Sequence, residues 1–127
     1  MSTANTALLY SLGIDGFLVT DDLVAGGTTQ ATANRLPGAL NRCVVAATNG
    51  GFMLPSILSG EGAWITFVIN DSPNAIKIYP FLSATSPETQ GGVANAFLSI
   101  PAGQSGIFIP VPNSKGGTLD WRSAVIP

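Results

Sequence analysis

Glycine and proline break this chain so often that little room is left for helices. Fifteen glycines and nine prolines are spread over 127 residues. Proline inside a helix removes a backbone hydrogen bond and clashes with the preceding turn, and glycine there gives up more chain entropy than any other residue. The two best helical candidates, Thr3 to Leu12 and Ala31 to Leu40, are ended by Gly13 and interrupted by Pro37-Gly38. Between the breaks lie apolar runs of strand length, which is how many short strands joined by turns read in sequence. The expectation is an all-β fold, a single antiparallel β-sandwich or barrel of jelly-roll-like form.

The strongest strand is Ala63-Trp64-Ile65-Thr66-Phe67-Val68-Ile69-Asn70, rich in the β-branched and aromatic residues that fit a pleated surface. It stops at Asp71-Ser72-Pro73-Asn74, where proline sets φ and Asx side chains bond nearby backbone. Ala75 to Tyr79 follows, with Ile76 and Ile78 on one face and Lys77 and Tyr79 on the other, until Pro80 ends it. These two strands predict an antiparallel hairpin. A second pair is predicted from Ala94 to Ile100, with Ala96, Leu98 and Ile100 on one face, and from Ser105 to Val111, joined by Pro101-Ala102-Gly103-Gln104. Thr28 to Leu36, Arg42 to Thr48 and Gly51 to Leu54 read as three earlier strands, with Asn49-Gly50-Gly51 a tight-turn signal, and Thr118 to Arg122 as a last one. No heptad, collagen triplet or solenoid period is visible. Residues 1–20 stand apart, as an N-terminal arm that docks on a neighbour or as a first strand, and residues 21–127 form the β domain.

The surface implied by the composition is unusual. Only 9% of residues are charged, 46% are hydrophobic, and histidine is absent. Ordinary domains carry roughly 25% charged residues, which wet the surface and hold neighbours off. A chain without them is expected to be covered by other copies or by partners. The five cations, Arg35, Arg42, Lys77, Lys115 and Arg122, are scattered, so no nucleic-acid partner is expected. No basic amphipathic stretch or run of roughly 20 apolar residues points to a membrane. Met1 to Thr6 holds no cation ahead of the short apolar Ala7-Leu8-Leu9-Tyr10, so no secretory signal is read, and the chain is expected to be made and used in soluble form. Cys43, the single cysteine, lies in an apolar run and is expected to be a small buried side chain.

Chemistry finds few footholds. Without histidine, Ser-His-Asp and Cys-His arrangements are unavailable, and zinc lacks ligands. The seven acids, Asp15, Asp21, Asp22, Glu61, Asp71, Glu88 and Asp120, sit almost entirely beside turn residues, where solvated side chains are expected. A two-carboxylate glycosidase, whose acids need converge only in space, is ranked last. Asp21-Asp22 reads as a polar turn rather than a calcium loop, since no further ligand follows at a loop spacing. Val24 to Thr29 lacks the lysine and the helix of a phosphate loop. Tyr79, Phe81, Trp64 and Trp121 are either a sugar-stacking platform or, as aromatics more often are, core and subunit contacts. No catalytic, cofactor-binding or metal-binding residue is assigned, no cofactor is expected, and an enzyme is not.

A set of short motifs occurs in a recognisable order. Ala25-Gly26-Gly27-Thr28-Thr29-Gln30-Ala31 leads to Asn41-Arg42-Cys43-Val44-Val45 and Phe52-Met53-Leu54-Pro55. Val68-Ile69-Asn70, Ile78-Tyr79-Pro80 and Gly92-Val93-Ala94-Asn95-Ala96 follow, then Pro101-Ala102-Gly103-Gln104-Ser105, Phe108 and Trp121-Arg122. From about Leu23 onward the chain resembles a family of small structural proteins of tailed bacteriophages. It departs from that pattern in the loop from Phe81 to Gly91, at Lys115-Gly116-Gly117, and in the first 20 residues, which have no counterpart. The resemblance implies a virion component made in the host cytoplasm, and it carries no catalytic residues.

Two roles follow as expectations. One is a capsid decoration (cement) protein, a homo-oligomer that resembles others in forming a trimer and that clamps the major capsid protein across subunit boundaries on the capsid surface. The low charge favours it, as does a chain running from Met1 to Pro127 with no receptor domain after the last motif. The other is a short head-fibre or tail-fibre module, in contact with a fibre or spike protein, that holds host-surface glycans through loop side chains such as those of Thr85 to Gln90.

Overall fold

The computed structural model describes residues 19–57, 65–82, 88–112 and 119–127. In chain order the strands are β1 (Val19–Ala25), β2 (Asn34–Arg35), β3 (Leu40–Ala46), β4 (Gly51–Met53), β5 (Thr66–Asn70) and β6 (Ile76–Tyr79). Then come β7 (Thr89–Gln90), β8 (Val93–Ala94), β9 (Leu98–Ile100), β10 (Ser105–Val111) and β11 (Asp120–Ile126). They form a seven-stranded sheet, β1-β3-β5-β10-β11-β7-β8, and a four-stranded sheet, β2-β4-β6-β9. The all-β sandwich expected from the sequence is what the chain forms. The N-terminal arm, the loop from Leu82 onward to Pro87 and the Lys115-Gly116-Gly117 stretch lie outside the described residues, apart from Leu82 itself.

Strand directions depart from the expectation, because both sheets are mixed. Three times the chain runs along the larger sheet, turns a corner and continues in the smaller one: β1 to β2, β3 to β4, β5 to β6. Successive passes are parallel, with β1, β3 and β5 side by side in one sheet and β2, β4 and β6 in the other. The first half is therefore a short stack of coils. The sequence hides it because the coils differ in length: Val19 lies opposite Leu40, but Leu40 lies opposite Phe67 across a much longer interval. Antiparallel pairing enters only later, where β9 joins β6, β10 joins β5 and β11, and β7 joins β8.

The predicted hairpin of residues 63–79 is accordingly corrected. β5 pairs with β3 and β10, whereas β6 pairs with β4 and β9. Asp71 to Asn74 is a corner between sheets. The reason lies in Asn70, which is fully buried. Its Oδ1 accepts from the Ser72 N–H (3.1 Å) and hydroxyl (2.6 Å), and its Nδ2 donates to the carbonyls of Asn74 and Ile100 (both 2.9 Å). A side chain that spends all its bonds on the corner and the opposite sheet folds the chain inward. The second predicted pair is also a corner: Pro101 to Gln104 carries the chain from β9 in the small sheet to β10 in the large one. Thr28 to Leu36, predicted as a strand, is a short 3₁₀ turn (Gln30–Thr32) followed by the two-residue β2.

The core lies between the sheets. Cys43, Val68, Phe108 and Trp121 from the large sheet meet Phe52, Ile76, Ile78 and Ile100 from the small one, nearly all inaccessible to solvent. Burying each large apolar side chain contributes about 1.5–3 kcal/mol before chain entropy is counted. Cys43 is buried as expected, and its burial pushes the thiol pKa up, which keeps it protonated.

Candidate interaction faces

Two acids expected at the surface are in fact sealed inside. Glu88 is fully buried, and its carboxylate accepts from the Ser56 hydroxyl (2.8 Å), the Ile57 N–H (3.1 Å) and the Trp121 indole N–H (3.2 Å). Asp120 is fully buried beside it in sequence space of β11; Oδ1 accepts from Thr89 Oγ1 (2.6 Å) and the Gly92 N–H (3.0 Å), and Oδ2 lies 2.6 Å from Arg122 Nε. Burial pushes the Asp120 pKa up, but the Thr89 hydroxyl, the Gly92 N–H and Arg122 together outweigh it and hold the carboxyl below its ordinary value. Trp121, one of the four candidate platform aromatics, is likewise inaccessible and serves the core. These groups tie β7 and β11 to the loop before residue 58, which is a structural task. Trp64, Asp15 and Glu61 lie outside the described residues.

Asp21 and Asp22 do form a turn-like irregularity, with Asp22 at φ +56° and the β1–β3 register shifting there. They are not arranged around an open cation site, because Arg42 occupies the space between the acids. Its Nη1 lies 2.9 Å from Asp21 and 3.8 Å from Asp22, and its Nε lies 2.6 Å from Asp71. The Arg42 hydrogen bond holds the Asp21 pKa down, and the same contacts raise that of Arg42. The glycines of Val24 to Thr29 have a steric reason: Gly27 sits at φ +67°, and a side chain there would run into the Thr32 carbonyl.

The large sheet turns an aliphatic face outward. Cross-strand register aligns Leu40, Phe67, Ile107 and Ala124 in one row. Arg42, Ile69, Ser105 and Ile126 form the next. Ile109 and Ile65 extend the face and are exposed, as is the pair Val24–Val45 at its far side. Alternate residues of the same strands, such as Val68 and Phe108, fill the core. A solvated face of an exposed sheet normally carries polar residues at these positions. Here both faces of the sheet are apolar, and the polar groups lie at the rim: the Arg42 cluster and Arg122.

The small sheet presents a different outer face. Arg35, Met53 and Tyr79 are cross-strand neighbours along β2, β4 and β6. Phe97, just before β9, meets Tyr79 edge-on with ring centroids 5.5 Å apart. Lys77 Nζ stands 4.8 Å from the Phe97 ring centroid, and the Arg35 guanidinium carbon 5.2 Å from that of Phe81. Tyr79 and Phe81, two of the candidate platform residues, are thus brought together here. Phe97, 46% exposed, was not among the candidates, although the predicted alternation of Leu98 and Ile100 already placed it on the opposite face.

Comparison of the chain with protein-family models, with curated proteins and with solved structures finds no match.

Proposed function

We infer that this protein is a self-assembling structural component of a phage virion, a capsid decoration protein that caps and braces the shell as a homo-oligomer. The observation that carries this reading is the aliphatic outer face of the large sheet, on a chain with 9% charged residues. Contiguous exposed apolar surface of this kind marks an interface when it is rimmed by polar groups. The order of the phage-like motifs supports the virion setting. Mechanically, such a protein adds buried contact across capsomer boundaries, so internal pressure must break more surface to part them.

The test is direct. Purified protein should sediment as an oligomer, bind expanded capsids in fixed stoichiometry and raise the temperature at which they burst. A monomer that leaves capsid stability unchanged would sink the reading.

A further inference from the structure

We propose that the outer face of the small sheet is a binding site for an acidic polysaccharide, a glycan chain bearing carboxylates or phosphates at intervals. The proposal is independent of assembly, since it concerns the sheet opposite the aliphatic face.

Its basis is how charge is divided over the described residues. Arg42 and Arg122 are each held by carboxylates. Arg35 and Lys77 stand instead on the small sheet, each against an aromatic ring. The described acids are all elsewhere: Asp21, Asp22 and Asp71 gather round Arg42, and Glu88 and Asp120 are buried. A protein of net charge −2 therefore keeps a locally positive, carboxylate-free face. Between its cations lie Met53, Tyr79 and the exposed Phe97.

The ligand must therefore be anionic and must also present flat apolar surface. Sugar rings do both, since their C–H faces stack on aromatic rings while an acidic substituent reaches a neighbouring cation. The row from β2 to Phe97 crosses four strands, about 14 Å at roughly 4.8 Å per strand. That is long enough for a short run of rings and holds only two cations. Nucleic acid carries a charge on every nucleotide and draws its affinity from many phosphate contacts, so a sparsely charged glycan fits better. Gly51 keeps the floor of this strip thin, because a side chain there would meet the Lys77 carbonyl and the Tyr79 ring.

The experiment uses the full chain on immobilised alginate, a linear uronate polymer, with neutral dextran and oligothymidylate as parallel columns. Retention is expected on alginate alone, released by moderate salt. Phe97→Ala and Lys77→Gln should each weaken it at least tenfold with little change in melting temperature, because both side chains are exposed or partly so. Arg42→Gln, an equal loss of charge on the opposite sheet, should still be retained. Retention of Phe97→Ala equal to wild type, loss of binding in Arg42→Gln alone, or tighter retention on oligothymidylate or dextran would each overturn the proposal. Sedimentation of the same samples reports assembly separately, so a failure of glycan binding and a failure of oligomerisation are read apart.

Discussion

Glu88 places a carboxylate in the interior among groups that can only be satisfied by an acceptor. The Ile57 N–H and the Trp121 indole N–H are donors without alternatives on that side, and the Ser56 hydroxyl adds a third bond. Removing the acceptor leaves them buried and unpaired, which costs roughly 1–3 kcal/mol for each group so stranded. Glu88→Ala should therefore lower stability by about 3–5 kcal/mol, read as a fall in the urea midpoint. Glu88→Gln keeps one acceptor oxygen but turns an N–H₂ toward donors, so its loss should be smaller but clear. Asp120 adds a dependence on pH. Its folded-state pKa is depressed, so the stability it contributes is complete above its unfolded value, near 3.9, and is lost as pH falls through the folded value. The melting temperature should drop on acidification below about pH 4, and that acid limb should be shallower in Asp120→Asn.

At the scale of the element, the corners decide the fold. Gly51 and Gly103 separate two kinds of constraint. A Cβ on Gly51 would sit 2.7 Å from the Lys77 carbonyl, a backbone atom fixed by the β4–β6 ladder. Gly51→Ala should cost about 1–3 kcal/mol by forcing the strands apart. Gly103 lies at φ +79° with open space around it, so Gly103→Ala should cost only the left-handed strain, about 1–2 kcal/mol. Equal losses for the two in denaturant titrations would show that packing at the β4–β6 approach matters less than the geometry says. The positions of β3 to β6 and of β10 were legible in the sequence, because alternation and turn residues are local. Pairing was not. Asp-Ser-Pro-Asn closes a hairpin or turns a corner between sheets equally well, and the choice rests on Asn70 reaching Ile100, thirty residues away in sequence. The same limit hid Glu88 and Asp120: beside Thr89-Gln90 and at the start of β11 they read as loop acids, and only the fold brings Trp121 and Arg122 to them. Phe97, by contrast, was legible from the alternation around it and went unused because its neighbours Leu98 and Ile100 drew the attention to the core.

For the whole molecule, the two outer faces make different demands. Ile107 sits in the middle of the aliphatic row, flanked by Phe67 on β5 and Ala124 on β11, and is only partly covered within one chain. In an interface it would be at the centre, where desolvation is complete and truncation or charge is felt most. In the lone domain it faces solvent, and its strand is held by ladder bonds on both sides and by Phe108 in the core. Ile107→Asp should then leave the folded monomer within about 1 kcal/mol of the parent, since surface changes away from special features are small. The same change would put an unpaired carboxylate in the buried centre of the contact, at a penalty of several kcal/mol. That is a weakening of association on the order of a thousandfold or more, at about 1.4 kcal/mol per factor of ten. Analytical ultracentrifugation at micromolar concentration should find the variant monomeric and the parent assembled, and the variant should no longer protect capsids from heat. Charge on the other sheet gives the control: Lys77→Gln should leave assembly intact. If Ile107→Asp sediments with the parent, the aliphatic face is not what joins the copies, and the partly exposed rows of the large sheet need another occupant.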